Sequence, residues 1–195
     1  MLISDNQIDV FKELINIGAG RSASLLNELI NAPIRLSIPN IWVEKVSVLK
    51  EKFVENIAEN FSSVELNFEG SFLGLSQVVF PAESASTLIS TLTGDDEEDI
   101  DEVRVGTLKE VSNILLNGVM GSIGNIMEER FEYAVPIYRE DTIRNLIFSN
   151  ENHDKIILYG EAHFEVDQHN IEGNFYVMFE LSSFEKLKKC LDRLG

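Results

Sequence analysis

Cysteine is almost missing from this chain of 195 residues. Cys190 stands alone, so no internal disulfide can form. A reducing compartment, and with it a cytoplasmic setting, suits such a chain. Cys190 sits in an amphipathic stretch and reads as a packed thiol. Basic side chains are also scarce: 16 Lys and Arg stand against 33 Asp and Glu, a net charge of −17. That sign argues against nucleic acid and against an anionic membrane surface. No run is long and apolar enough to cross a bilayer. Residues 1–9 lack the basic start and apolar stretch of a signal peptide. The three histidines, His153, His163 and His169, fall into no HExxH or similar spacing. No glycine-rich loop opens a helix as a P-loop does. The acidic run at residues 95–102 lacks the turn glycine and spacing of an EF-hand loop. The sequence therefore displays no metal-ligand set and no nucleotide fingerprint.

What is present is a pattern that occurs twice. Residues 9–20 read DVFKELINIGAG and residues 106–117 read GTLKEVSNILLN. Laid over each other, Lys12 meets Lys109, Glu13 meets Glu110, Asn16 meets Asn113 and Ile17 meets Ile114. Each Asn is followed at the same distance by a proline, Pro39 or Pro136. A repeated polar pair suggests a duplicated site. Apolar residues make up 44% of the chain, enough for a real core.

The spacing Ser4-x-x-Gln7 predicts a capped helix running to about Asn31. Ile8, Phe11, Ile15, Ala19, Leu26 and Ile30 fall on one flank, and Val10, Leu14, Ile17 and Leu25 on another. Between them Asp9, Glu13, Asn16 and Gly20 form a polar stripe within roughly a 60° arc. Residues 34–48 read as extended, and Val64, Leu66 and Phe68 alternate as a strand does. Glu69-Gly70 reads as a hairpin turn into a strand over 72–80. A helix over 81–92 follows, stopped by Gly94. Residues 95–102 read as an acidic linker feeding the next helix, expected over 103–130. Extended segments follow from Ala134, and Glu172-Gly173-Asn174-Phe175 echoes Glu69-Gly70-Ser71-Phe72. Ser182-x-x-Glu185 predicts a last helix ending at Gly195. The expected fold is α+β: one body over 1–195 made of two helix-strands-helix repeats, about 1–94 and 103–195. A pseudo-two-fold axis would relate them, with helices packed on a mostly antiparallel sheet.

Glu and Asn three apart share one helix face. A carboxylate takes a cation or orients a donor, and a carboxamide both donates and accepts. No His or Lys is placed to activate a hydroxyl, which argues against a covalent intermediate. Orienting a water is chemistry that suits an amide, and phosphoryl transfer needs little beyond in-line placement and charge neutralisation. The pair could instead be a solvated strip, or could bridge elements within each copy. Gly18 and Gly20 each cost a helix about 1 kcal/mol relative to Ala, a cost that close approach of another element would explain.

The pattern Asp9-x3-Glu13-x2-Asn16 with Pro39 downstream resembles the phosphatase signature of the CheC, CheX and FliY group of chemotaxis proteins. The phrases Asn16-Ile17-Gly18-Ala19-Gly20, Glu69-Gly70, Leu92-Thr93-Gly94 and Glu110-Val111-Ser112-Asn113-Ile114-Leu115, with Gly118 following, are also similar to that group. The resemblance covers nearly the whole chain. It implies a two-site protein phosphatase, active on the aspartyl phosphate of a CheY-like response regulator. Asn16 and Asn113 would orient the attacking water, and Glu13 and Glu110 would engage a lysine of the regulator. Asp9, Lys12, Gly20, Lys109 and Asn117 would flank the docked partner. No cofactor is expected on this chain, since magnesium would be held by the regulator. Some members of the group bind a CheD-like deamidase, and these residues leave that partner open. In the second copy Gly106 stands in place of Asp9, and Leu115-Leu116-Asn117 in place of Gly18-Ala19-Gly20. Two other readings stay open. One is a non-catalytic binding module of the chemotaxis or flagellar switch apparatus, as FliM uses a similar body. The other is a small-molecule sensor with a cleft between the halves.

Overall fold

The computed structural model describes residues 3–37, 39–52, 59–94, 101–148, 155–180 and 184–195. The chain opens on α1 (Asp5–Ile30), followed by β1 (Arg35–Leu36), β2 (Asn40–Lys45) and α2 (Val46–Lys52). Next come β3 (Phe61–Gly70), β4 (Gly74–Pro81) and α3 (Ala82–Thr93). The second half supplies α4 (Asp101–Met127), β5 (Phe131–Tyr133), β6 (Ile137–Asp141) and α5 (Ile143–Phe148). It closes with β7 (Ile156–Val166), a 3-10 turn over Asp167–His169, β8 (Ile171–Glu180) and α6 (Phe184–Leu194).

The start of α1 follows from its first residues. Ser4 Oγ accepts from the Gln7 N–H, and Gln7 Oε1 accepts from the Ser4 N–H, a reciprocal capping box. Gln7 Nε2 also donates to Asp192 Oδ1 at 2.7 Å, tying this end to α6. Asn31 ends the helix in the left-handed region at φ 55°.

All ladders are antiparallel, and the sheet order is β1-β7-β8-β4-β3-β5. Strand β2 pairs with β7 and β6 pairs with β3. The outer strands of each half thus hydrogen-bond to the other half, and β4 meets β8 at the centre. Element kinds run helix, strand, strand, helix, strand, strand, helix from α1 to α3 and again from α4 to α6, the 3-10 turn apart. Exchanging the halves only reverses the sheet order. That is what a unit repeated about a two-fold axis would give.

Strand alternation divides the core. Val64, Leu66, Phe68, Val78, Phe175, Val177 and Phe179 join the main core with α1, α3, α4 and α6. Leu75, Val79, Tyr159, Tyr176 and Met178 face the other way, beneath α2 and α5. The mixed α+β class with a mostly antiparallel sheet agrees with the sequence. Several boundaries do not. Residues 46–48 were expected to be extended, but Val46 and Leu49, three apart, bury themselves as a helical pair in the second core. Asp101 and Glu102 open α4 instead of belonging to the linker, as acidic residues suit a helix N-terminus. Helix α4 ends at Met127, short of Arg130, where Glu128 turns left-handed. The second half turns to strand at Phe131, before Ala134, and α5 interrupts it. Gly70 ends β3 at φ 110°, whereas Gly173 lies inside β8, so the two Glu-Gly phrases are not equivalent turns. Residues 95–100 and Ser182 lie outside the described residues.

The halves meet most tightly at α1 and α4. A methyl group on Gly18 would sit 2.9 Å from the Val119 carbonyl oxygen, and one on Gly118 would sit 2.5 Å from Ser22 Oγ. Ser22 Oγ donates to the Leu115 carbonyl at 2.6 Å across the same seam. Gly20 has nothing within 4 Å of such a methyl. Gly18→Ala should therefore cost about 1–3 kcal/mol by overpacking. Gly20→Ala should gain roughly 0.5–1 kcal/mol. Urea denaturation of the two variants checks the opposite signs.

A second prediction concerns Glu129, just after α4. It accepts from Ser71 Oγ, from Lys186 Nζ at 2.9 Å and from the Cys190 thiol at 3.7 Å. Partial burial alone would raise its carboxyl, but the Ser71 and Lys186 bonds outweigh that and hold it below 4.5. A carboxyl lowered on folding stabilises above its unfolded pKa and loses that effect as the pH falls through its folded value. Glu129→Gln should be less stable than the parent at neutral pH. The difference should close in thermal melts taken at pH values falling below about 4.5.

Candidate functional site

The two polar patterns lie on α1 and α4, the helices that share the Gly18 and Gly118 seam. Packing leaves the stripe of α1 open: Asp9, Glu13, Asn16 and Gly20 are all exposed, while Leu14, Ile15, Gly18 and Ala19 are buried. Ile17, expected on a buried flank, is 45% exposed and stands beside Asn16. Lys12 is half-buried at the edge of the stripe. On α4, Glu110 and Asn117 are exposed, and Lys109 and Asn113 are half-buried. Pro39 and Pro136 each stand immediately before a strand, β2 or β6.

The two carboxamides differ in their surroundings. Asn113 Oδ1 accepts from Asn117 Nδ2 at 3.0 Å, one helical turn on. In α1 the matching position is Gly20, and Asn16 has no recorded side-chain hydrogen bond among the described residues. Asn113 opens into a surface depression of about 380 Å³. Its walls include Ile114, Asn117 and Asn125 of α4 and Arg21 and Leu25 of α1.

Arg21 was not singled out by the sequence. It follows Asn16 by five residues, which turns it about 140° around the helix, away from Asn16 and towards α4. The repeat hid it, because the matching residue of α4 is Gly118. Arg21 is exposed and has no recorded ion pair among the described residues. It places a guanidinium at the rim beside the second carboxamide, where the first has none. The residues lining the Asn113 depression include no Cys, Ser, Thr, His, Asp or Glu. Cys190 lies elsewhere, buried, with desolvation and the Glu129 carboxylate pushing its thiol up. Chemically, each pair can orient a water or a polar partner group and receive a cation. Among the described residues no helix is long and apolar enough to cross a membrane.

No protein-family model matches the chain. Relatives do. The chain is 26% identical over 198 aligned residues to the CheY-P phosphatase CheC of Bacillus subtilis, covering 95% of this chain and 93% of that protein. It is 21% identical to the flagellar motor switch phosphatase FliY of the same organism, over 69% of this chain and 35% of FliY. Among solved structures, Thermotoga maritima FliY superposes with a TM-score of 0.74 at 17% identity, all of both chains covered. The chemotaxis protein CheX of Desulfovibrio desulfuricans gives 0.62 at 18% identity, over 86% of this chain and 99% of CheX.

The chain is thus similar to CheC along nearly the full length of both proteins.

The same fold recurs in the FliM of Helicobacter pylori solved with SpeE, with a TM-score of 0.72 at 9% identity over 98% of this chain and 97% of that one.

Proposed function

We propose that this chain hydrolyses the aspartyl phosphate of a CheY-like response regulator. The observation that carries the reading is a carboxamide on the open side of each of two packed helices, three residues after an exposed glutamate. The likeness to CheC, a CheY-P phosphatase, along nearly the full length of both proteins supports it.

In this reading Asn16 and Asn113 enter the regulator's site and hold a water in line with the acyl phosphate. The water oxygen bonds to phosphorus, the bond from phosphorus to the aspartyl oxygen breaks, and inorganic phosphate and a free carboxylate leave. Positioning of this kind can lower a barrier by several kcal/mol, with roughly 7–11 as the ideal limit. Glu13 and Glu110 take a lysine of the regulator. Asp9, Lys12, Gly20, Lys109 and Asn117 border the docked surface. Magnesium belongs to the regulator. A cytoplasmic setting fits the lone buried thiol, and a CheD-like deamidase is a further partner open to test. The two sites act unequally. Asn16 is free, whereas Asn113 is held by Asn117 and flanked by Arg21.

Decay of phosphoaspartate on a CheY-type receiver, with catalytic amounts of this chain, is the direct measurement. Asn16→Ala and Asn113→Ala should each keep part of the activity, and the double variant should lose roughly 10²-fold while melting like the parent. A fully active double variant would falsify the assignment. Slowed or merely stoichiometric effects on decay would favour the non-catalytic binding module. Arg21→Ala should lower kcat/KM roughly 2- to 5-fold in the Asn16→Ala background, mainly through KM, and leave the Asn113→Ala background unchanged.

A further inference from the structure

Three side chains able to ligate a metal meet on the sheet face turned away from α1 and α4. His163 and Glu165 alternate along β7 with Ala162, Phe164 and Val166, which point into the main core. Glu172 comes from β8, paired directly opposite Glu165. One ligand atom from each of the three lies within 4.8 Å of the others.

A hydrogen-bond chain behind the imidazole sets its tautomer. The Tyr176 hydroxyl donates to the Glu161 carboxylate. Having given its proton there, it accepts from Asn174 Nδ2 at 3.0 Å. That fixes the amide, so Asn174 Oδ1 faces His163 Nδ1 at 2.7 Å and Nδ1 is the donor. In the neutral ring Nε2 then aims a lone pair at Glu165 Oε1, 3.2 Å away, and at Glu172 Oε2, 3.8 Å away. With that nitrogen unprotonated the three groups converge as acceptors, an arrangement that a cation relieves. Four ligands at about 2.1 Å around a tetrahedral ion stand about 3.4 Å apart, between the two observed spacings.

The surroundings suit an ion. Arg35 takes the other oxygen of Glu165 at 2.9 Å and also pairs with Asp167, orienting the carboxylate. The Glu172 N–H donates to Ser84 Oγ at 3.1 Å, tying that strand end to α3. Glu165 and Glu172 also line a depression of about 740 Å³ whose walls include Glu59, Glu83 and Asp167 and no basic residue. Such walls concentrate cations. Imidazole nitrogen mixed with carboxylate oxygen selects first-row divalent metals over calcium or magnesium.

We propose that His163, Glu165 and Glu172 hold a first-row divalent cation of the zinc type, with its remaining coordination open to water. The site is independent of the phosphatase reading, and neither stands or falls with the other. Chelator-treated full chain titrated calorimetrically with zinc chloride, and with cobalt(II) by visible absorption, tests it. One equivalent should bind. Uptake should vanish in His163→Ala, weaken at least roughly tenfold in Glu172→Gln, and persist in His169→Ala. Glu172 is exposed, so its variant reports even where His163→Ala folds poorly. Absence of stoichiometric uptake by the parent overturns the proposal and leaves an imidazolium paired with two carboxylates. Uptake unchanged in His163→Ala and Glu172→Gln overturns it equally.

Discussion

Helices α1 and α4 touch where one of the two lacks a side chain. Gly18 lies against the Val119 backbone and Gly118 against Ser22, and the Ser22 hydroxyl closes the gap by bonding to the Leu115 carbonyl. Backbones this close fix the rotation of each helix about its axis. Rotation decides which stripe is buried and which is left open. Leu14 and Ile15 go into the core on α1, as Val111 and Leu115 do on α4. Glu13, Asn16, Glu110 and Asn113 are left along the outer side as a consequence. A helix glycine normally weakens its helix. Here that weakness secures a shorter interaxial distance, and the direction of the polar pairs follows from it.

The sheet beneath enforces the same arrangement. The outer strands of each half hydrogen-bond to the inner strand of the other, β2 on β7 and β6 on β3. The first half therefore cannot complete its edge alone, and α1 cannot leave α4 without breaking ladders on both sides. Both faces of the sheet are covered: phenylalanines such as Phe68, Phe72 and Phe179 under α1 and α4, and the stacked Tyr159 and Tyr176 under α2 and α5. A body built this way holds two helix faces in a constant relation.

What could be read from the residues was whatever local chemistry determines. Ser4 and Gln7 announced the start of α1, Gly94 the end of α3, and the period of two along Val64, Leu66 and Phe68 a strand with one face in the core. The overlay of Glu13 and Asn16 on Glu110 and Asn113 placed both pairs on helices. Readings failed where distant contacts decide. Val46 and Val48 have the composition of a strand, yet Val46 and Leu49 close over the second core as a helix. Gly70 and Gly173 share a phrase, but only Gly70, which ends its strand, sits at a positive φ, whereas Gly173 lies inside β8. Arg21 has no counterpart in the repeat, where Gly118 stands in its place. His163, Glu165 and Glu172 form no motif, since a strand pairing and not a helix spacing brings them together.

On the proposed function, charge would give the Asn16 and Asn113 positions different characters. The chain carries −17 overall, so the acidic regulator of that proposal would be repelled at long range. Over roughly 8–10 Å at physiological salt that repulsion is screened, and only local groups decide the final approach. At the first site the local cation is Lys12, half-buried beside the stripe. At the second, Lys109 is joined by Arg21 from the other helix. A guanidinium presents a planar fork that fits two phosphate oxygens, whereas an ammonium acts as a point charge. Asn113 also begins with its carboxamide already oriented by Asn117, and Asn16 begins free to rotate. Orienting Asn16 costs side-chain entropy on docking, a cost that Asn113 has largely met in the unbound state. The glycine that leaves Asn16 unheld, Gly20, also leaves the first helix face uncrowded. On the phosphatase proposal the first site would trade preorganisation for access, and the second access for preorganisation and charge.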